Sequence, residues 1–442
     1  MNKLENGEAT EELIEKNEES KEIAYPKPLF FILFLTIGII NNLGYVLILT
    51  GSQQFSSQLK NESLIAMYPL ALMAFSSLSR FINSKFCIKI SYFKRLLGLS
   101  IYFFSGYISL FIILQIVESK KDFNNTLAFF LTLIPSIIMG TGSSFGEATN
   151  LGYIRTFPKD YISGWSSGTG FAGVFGALIS LCCKKYEWKL KNLYLFISPV
   201  ALIYFICFYI SFKVKEKCDL LNSNKAQKLY PRDTNEIFNE ENNSNYDNQI
   251  ENVKIDNEGD VSNNKEMNCK NFIEGFFHGK RFIINLALVY YLEYTINSGL
   301  CERVNKKGYV KSSNFFNTIQ YETFMLCYQI GVVLSRSSLA IVKHISFIET
   351  FSIVQFINFV LWFIEVYSGF ITNEWICFIH LIIVGLCGGA SYVGCFYFVL
   401  NSKTIEPRIK ELCLNIGTIF NDIGMLTSSI SVLILDNTIM KI

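Results

Sequence analysis

From the N-terminus onward, the chain alternates long apolar runs with short polar breaks. Eleven runs reach the roughly 20 residues needed to cross about 30 Å of hydrocarbon. They fall near 29–52, 63–80, 96–117, 127–151, 162–183 and 193–212 and, after a long polar gap, near 282–300, 321–341, 345–367, 375–400 and 412–435. In lipid every backbone N–H and C=O has to be satisfied within the protein, and no ten-residue alternating pattern recurs. The runs therefore predict helices and not barrel strands. The expected fold class is an all-α polytopic membrane protein with about 11 (10–12) transmembrane helices, a missed twelfth segment falling around 309–316.

The polar gap sets the domain organisation. Residues 213–280 are rich in Asn, Glu, Lys and Asp and have little to bury, so they are expected to form a disordered cytosolic linker. Residues 1–28 carry eight Glu and no apolar run, which predicts a disordered acidic cytosolic tail. With no cleavable signal ahead of it, the first span is expected to act as the anchor. Two membrane halves remain, 29–212 with six spans and 281–442 with five. Lys and Arg concentrate in the tail and linker, which favours a cytosolic N-terminus, although the short loops alone are balanced. The sequons Asn61-Glu-Ser63 and Asn124-Asn-Thr126 fall in hairpins on the opposite side, while Asn242-Asn-Ser244 sits in the linker.

Composition agrees with this pattern. Of 442 residues, 50% are hydrophobic, 15% aromatic and only 17% charged. Mean hydropathy is +0.31. A net charge of +2 gives no electrostatic footprint for nucleic acid. The expected partners are the lipid bilayer, a small-molecule solute and protons. The 12 Cys lie mostly in spans and form no C-x-x-C pair, so they read as small apolar residues, with no metal site. Only three His occur, and H-E-x-x-H, G-x-S-x-G and phosphate-loop patterns are missing, so no enzyme and no cofactor is expected.

Two features rise above plain hydrophobicity. In the fifth span Gly164, Gly168, Ala172 and Gly176 recur every four residues, a smooth helix face that allows either close static packing or sliding. Gly385 and Gly389 repeat it in shorter form. The match to G-x-G-x-x-G at Gly168, Gly170 and Gly173 lacks the preceding strand of a dinucleotide site. The second feature is polarity at membrane depth, where an ionised side chain costs at least about 2.5–3.5 kcal/mol unless paired, protonated or hydrated. Asn41, Asn42, Tyr45, Glu147, Asn150, Glu293, Asn297, Arg336, His380, Asn421 and Asp422 are the residues concerned. Asn41 and Tyr45 share a helix face, as do Glu293 and Asn297. For the carboxylates the alternatives are substrate or proton handling, and a structural bond or partnership with Arg336.

Six spans, a linker and five spans resemble the two-half plan of the major facilitator superfamily. Gly168, Thr169 and Phe171 of the fifth span are echoed by Gly417, Thr418 and Phe420 of the eleventh. More specific are the stretches Asn41-Asn-Leu-Gly-Tyr45, Gly146-Glu-Ala-Thr149, Tyr161 to Gly170, Glu293-Tyr-Thr-Ile-Asn-Ser-Gly299, Tyr328-Gln-Ile-Gly331, Ser335-Arg-Ser-Ser-Leu339 and Gly388-Gly-Ala-Ser-Tyr-Val393. In these the chain resembles the battenin family across nearly all of its membrane portion. The resemblance implies a lysosomal or vacuolar membrane protein linked to glycerophosphodiester export, basic amino acid transport and organelle pH control. It implies that Glu293, Arg336 and Asp422 match positions sensitive to substitution. Trp165, Thr169, Tyr328 and Tyr392, within or beside the same stretches, join the candidates, and Gly173 joins the helix-packing glycines. Arg336, taken as the only Arg well inside a span, or else the Asn and Tyr groups of the first span, is expected to meet a phosphate. The C-terminus Thr438 to Ile442 carries no lipidation Cys, and Glu216 to Leu221 matches an acidic dileucine pattern. A non-transporting scaffold and an intramembrane lipid enzyme are the competing classes.

Overall fold

The computed structural model describes residues 25–229 and 269–438 apart from 88, 121–122, 159–160, 309, 311–315, 317 and 346. The acidic tail, the centre of the linker and the segment of the expected twelfth span lie almost wholly outside the described residues. Among those described, helices dominate. α1 (Lys27–Gln58) begins with Pro28 in its first turn, where the missing N–H has no helical partner to lose. The second span is broken into α2 (Met67–Met73) and α3 (Ser76–Lys85). There follow α4 (Tyr92–Ser119), α5 (Asn125–Ile154) and α6 (Ile162–Lys185). The sixth span comprises α7 (Leu190–Ile197) and α8 (Val200–Leu229), parted at Pro199. The Asn124 side chain caps α5, accepting from Thr126 N at 2.9 Å and Leu127 N at 3.1 Å.

The second half opens with α9 (Cys269–Thr295), which passes through a π-helical turn (Ile296–Leu300) into α10 (Cys301–Lys307). Then come α11 (Gln320–Ser337), α12 (Leu339–Val342), α13 (Glu349–Ser368), α14 (Glu374–Asn401) and α15 (Pro407–Asn437). Gly308 and Gly369 end α10 and α13 at positive φ, a conformation that favours Gly. Among the described residues, nine helical stretches are long and apolar enough to cross a membrane. The seventh and eighth expected spans, α9 and α11, fall short of that measure because polar side chains run along them, yet both pack inside the same bundle. One expectation is corrected: α8 continues to Leu229 and α9 starts at Cys269, so both ends of the supposed linker are helical. The dileucine pattern lies on α8, where Asp219 accepts from Tyr25 Oη at 2.5 Å and Lys215 Nζ at 2.7 Å.

Large apolar side chains such as Ile32, Ile101, Leu202 and Ile379 cover the outside of the bundle, a surface that lipid has to cover. The packing has an internal exchange. α1 packs on α5 and α6 as α9 packs on α14 and α15; α2 and α3 pack on α5 as α11 packs on α14. Between the halves α6 meets α11, and α15 meets α2. Moving six spans along the chain converts one set of contacts into the other, as two-half carriers require.

The glycine stripe belongs to this packing. A Cβ at Gly164 would lie 2.7 Å from Phe31 O, and one at Gly168 would overlap Leu35 O, both on α1. Gly176 meets Val46 at 2.5 Å. The stripe thus seats α6 on α1 within one half, which favours the static alternative over sliding. Gly173 faces the Gln329 side chain of α11 across the boundary, and Gly385 and Gly389 seat α14 on α11.

Candidate functional site

A polar seam runs where the halves meet. At its centre Arg80, on α3, donates to Glu147 of α5 at 2.8 Å and to Asp422 of α15 at 2.7 Å. One guanidinium thereby holds a carboxylate from each half. Ser77 Oγ adds a bond to Asp422 at 3.2 Å, and Arg80 reaches the Thr418 carbonyl at 3.4 Å. Tyr392 of α14 lies within electrostatic range of Arg80 and Glu147, and its ring receives Arg336 with 4.9 Å between guanidinium and centroid. Arg336 also donates to Tyr290 Oη at 3.3 Å. Its Nε is buried without a hydrogen-bond partner, and no carboxylate bridges it among the described residues.

Beside it lies Glu293, only 1% exposed. Tyr328 Oη donates to Glu293 Oε1 at 2.7 Å, while Oε2 has no partner. Tyr294 stacks on Tyr290 at 6.2 Å and meets Tyr45 of α1, oxygen to oxygen, at 3.0 Å, a further bond between the halves. The carbonyl oxygens of Asn297 and Asn421 are also buried and unpartnered. Each such group costs about 1–3 kcal/mol, more when charged, so the open valences demand an occupant or a role.

The seam is closed at its far end. Gln54 Nε2 of α1 donates to Glu322 Oε1 of α11 at 3.0 Å and to Ser180 O of α6 at 3.2 Å, with Gln54 and Glu322 8% and 1% exposed. Lys306 bridges Glu62 at 3.3 Å, and Arg303 bridges Asp436 at 2.7 Å. At the Arg80 end the side chains keep partial exposure, 18% for Arg80 and 27% for Glu147.

The structure brings together Tyr45, Glu147, Glu293, Tyr328, Arg336, Tyr392 and Asp422, with Asn297 and Asn421 next to them in sequence. Six candidates lie elsewhere. Asn41 donates to Asn42 Oδ1 at 3.1 Å and Ser143 O at 2.9 Å, and Ser143 Oγ closes the set on Asn42 at 2.7 Å. Asn150 bonds Gly146 O and Tyr204 Oη, both at 2.7 Å. These amides find all their partners inside the first half. Trp165 is buried in the apolar core of that half, and Thr169 Oγ1 bonds Ser166 O of its own helix at 2.9 Å. His380 pairs with Asn358 at 3.1 Å and stacks on Trp362, away from the seam.

Arg80 is the residue that the sequence reading missed. It sits at the end of an apolar run, where an Arg ordinarily reaches for the interface, and the break between α2 and α3 that carries it inward leaves no pattern. Arg336 is therefore not the only inward Arg, and Arg80 is the partner of Glu147 and Asp422. Tyr290 and Tyr294 were legible in principle, since Tyr290, Glu293, Tyr294 and Asn297 fall at i, i+3, i+4 and i+7 of one helix face. Among the described residues the cysteines are free thiols, and no group of three or more His, Cys, Asp or Glu is placed to hold a metal.

Helical halves related by exchange, with charged side chains meeting between them, define a membrane transporter fold. Solved transporters share it. A POT peptide transporter crystallised with sulfate superposes with a TM-score of 0.59 at 11% identity, covering 96% of this chain and 94% of that one. A D-xylose–proton symporter gives 0.59 at 10%, covering 93% and 91%. The family model described as CLN3 protein matches residues 31–442, and the chain belongs to that family. Battenin of Dictyostelium discoideum is 29% identical over 415 residues, 92% of this chain and 94% of the relative. Protein BTN1 of Kluyveromyces lactis is 26% identical over 422 residues, 93% and 94%. Family and fold resemble transporters rather than enzymes.

Proposed function

We propose that the chain is a carrier of small polar solutes in a lysosomal or vacuolar membrane, with its N-terminus and linker cytosolic, and that its solute is a glycerophosphodiester. The observation that carries this reading is the contrast between the two arginines. Arg80 is neutralised by two carboxylates, whereas Arg336 has only a phenol and a ring, with Nε open. A guanidinium that no carboxylate bridges, at membrane depth, suits a phosphate, which it grips with two donors. The side-chain carbonyls of Asn297 and Asn421 accept from the glycerol hydroxyls. Export of such solutes with protons gives the carrier a part in organelle pH homeostasis.

Basic amino acid transport is the second reading, favoured by the open acceptors, which suit the donors of a cationic solute such as arginine. Efflux of labelled glycerophosphodiesters and of arginine from proteoliposomes, with and without a pH gradient, separates the two. Arg336→Lys keeps the charge and loses the fork. Phosphodiester transport is expected to fall about tenfold, the worth of roughly 1.4 kcal/mol of lost hydrogen bonding. Unchanged transport in that variant removes Arg336 from the phosphate.

A further inference from the structure

The exchange of contacts between the halves extends to one pair of side chains that differ in chemistry. In the first half, α5 presents Gly146 to α1, and a Cβ there would overlap Asn41 Oδ1. In the second half, α14 presents Gly388 to α9, and a Cβ there would overlap both oxygens of Glu293. α1 and α9 correspond under the exchange, as do α5 and α14. The fold thus holds two copies of one joint, in which a bare glycine receives a planar polar group from the neighbouring helix. Asn41 is fully buried, and its amide is used up by Asn42, Ser143 and, at 3.4 Å, Tyr204. Glu293 is equally buried, but Tyr328 satisfies only one of its oxygens. A neutral amide is therefore enough to make the joint, so the charge at Glu293 is not explained by packing.

We propose that Glu293 is the proton-coupling group of the carrier, held in place by Gly388 and Tyr328, and that binding and losing the proton leaves the joint intact. This rests on the carrier reading. The groups that face the carboxylate are Tyr290 and Tyr294 from α9, Tyr328 and Arg336 from α11, Cys387 from α14 and Tyr45 from α1. From α15, Asp422 lies near Tyr45 and is committed to Arg80. The carboxylates of α13 are engaged elsewhere, Glu349 with Arg281 and Glu365 with Ile371 N. Among the described residues Arg336 is the one cation near Glu293, so a solute anion that engages Arg336 removes the counter-charge and favours uptake of the proton at the same moment.

The test uses full-length protein in proteoliposomes with labelled glycerophosphoglycerol and labelled arginine. Glu293→Gln is expected to keep counterflow at symmetric pH and the melting temperature, because Asn41 shows that an amide fits the joint. It is expected to lose accumulation driven by a pH gradient, about tenfold per pH unit for one proton. Gly388→Ala is expected to impair counterflow, and the shorter side chain of Glu293→Asp in that background to restore it. Gradient-driven accumulation that persists in Glu293→Gln overturns the proposal, as does loss of melting stability and counterflow together in that variant. If wild type carries neither solute, the carrier reading fails, and an infrared pH titration still decides on Glu293. A protonated-carboxyl band present in wild type and missing in Glu293→Gln supports the assignment; the same band in both overturns it.

Discussion

Substituting Arg80 by Gln leaves Glu147 and Asp422 facing one another with no cation between them, whereas Asp422→Asn leaves the Arg80–Glu147 pair neutral and bonded. The two changes therefore differ in cost although they break the same 2.7 Å contact. Stripping one partner from a buried pair costs about 3–5 kcal/mol, and the partial exposure of Arg80 places this case at the lower edge, about 3 kcal/mol. Asp422→Asn is expected to cost about 1–2 kcal/mol, since an amide still accepts from Ser77 and Arg80. Glu147→Gln, at the more exposed carboxylate, is expected to cost about 1 kcal/mol or less. Thermal melts of the detergent-purified protein read these out, at about 2–4 °C per kcal/mol for a half of this size. The double variant completes a cycle with an expected coupling of about 1–3 kcal/mol. Additive effects within about 0.5 kcal/mol, or Asp422→Asn costing as much as Arg80→Gln, would refute the bridge between the halves.

Gly168→Leu drives a side chain into Leu35 O of α1 and is expected to cost about 3 kcal/mol or more, or to prevent folding, measured by melting and yield. Its counterpart in the sequence echo, Gly417, has nothing within 4 Å, so Gly417→Ala is expected to be neutral or to stabilise by about 0.5–1 kcal/mol. Gln54→Leu strips Glu322 of its side-chain donor from α1 and is expected to cost about 1–3 kcal/mol. The amides near residues 50–58 and 320–326 should then exchange hydrogen faster, and unchanged exchange there would show that this contact does not close the seam.

The spans were legible because lipid makes hydrophobicity and length almost sufficient. The two that fall short by composition, α9 and α11, do so through residues such as Glu293, Glu322 and Arg336 that face the seam and not the lipid. Cost at depth named Glu293, Arg336 and Asp422 without any partner in view. It could not separate Asn41 from Glu293, because both are polar, buried and seated on a glycine, and only the bonds made by Asn42, Ser143 and Tyr204 distinguish them. Nor could it place Arg80, whose inward position depends on the break at residues 74–75. Spacing along one helix reports a shared face; it does not report which helix that face meets.

Charge counting within the seam separates the two solute readings. Arg80 and Arg336 stand against Glu147, Glu293 and Asp422, two guanidiniums to three carboxylates, a formal charge of −1. A phosphodiester with one net negative charge entering alone brings the seam to −2, and an uncompensated charge in this setting costs several kcal/mol. Entering with a proton, it leaves the seam at −1. Arginine, with one net positive charge, brings the seam to neutrality and needs no proton. Transport of glycerophosphoglycerol should therefore rise with an imposed pH gradient and transport of arginine should not. A phosphodiester flux indifferent to the gradient would mean that these five side chains do not share one electrostatic compartment with the solute.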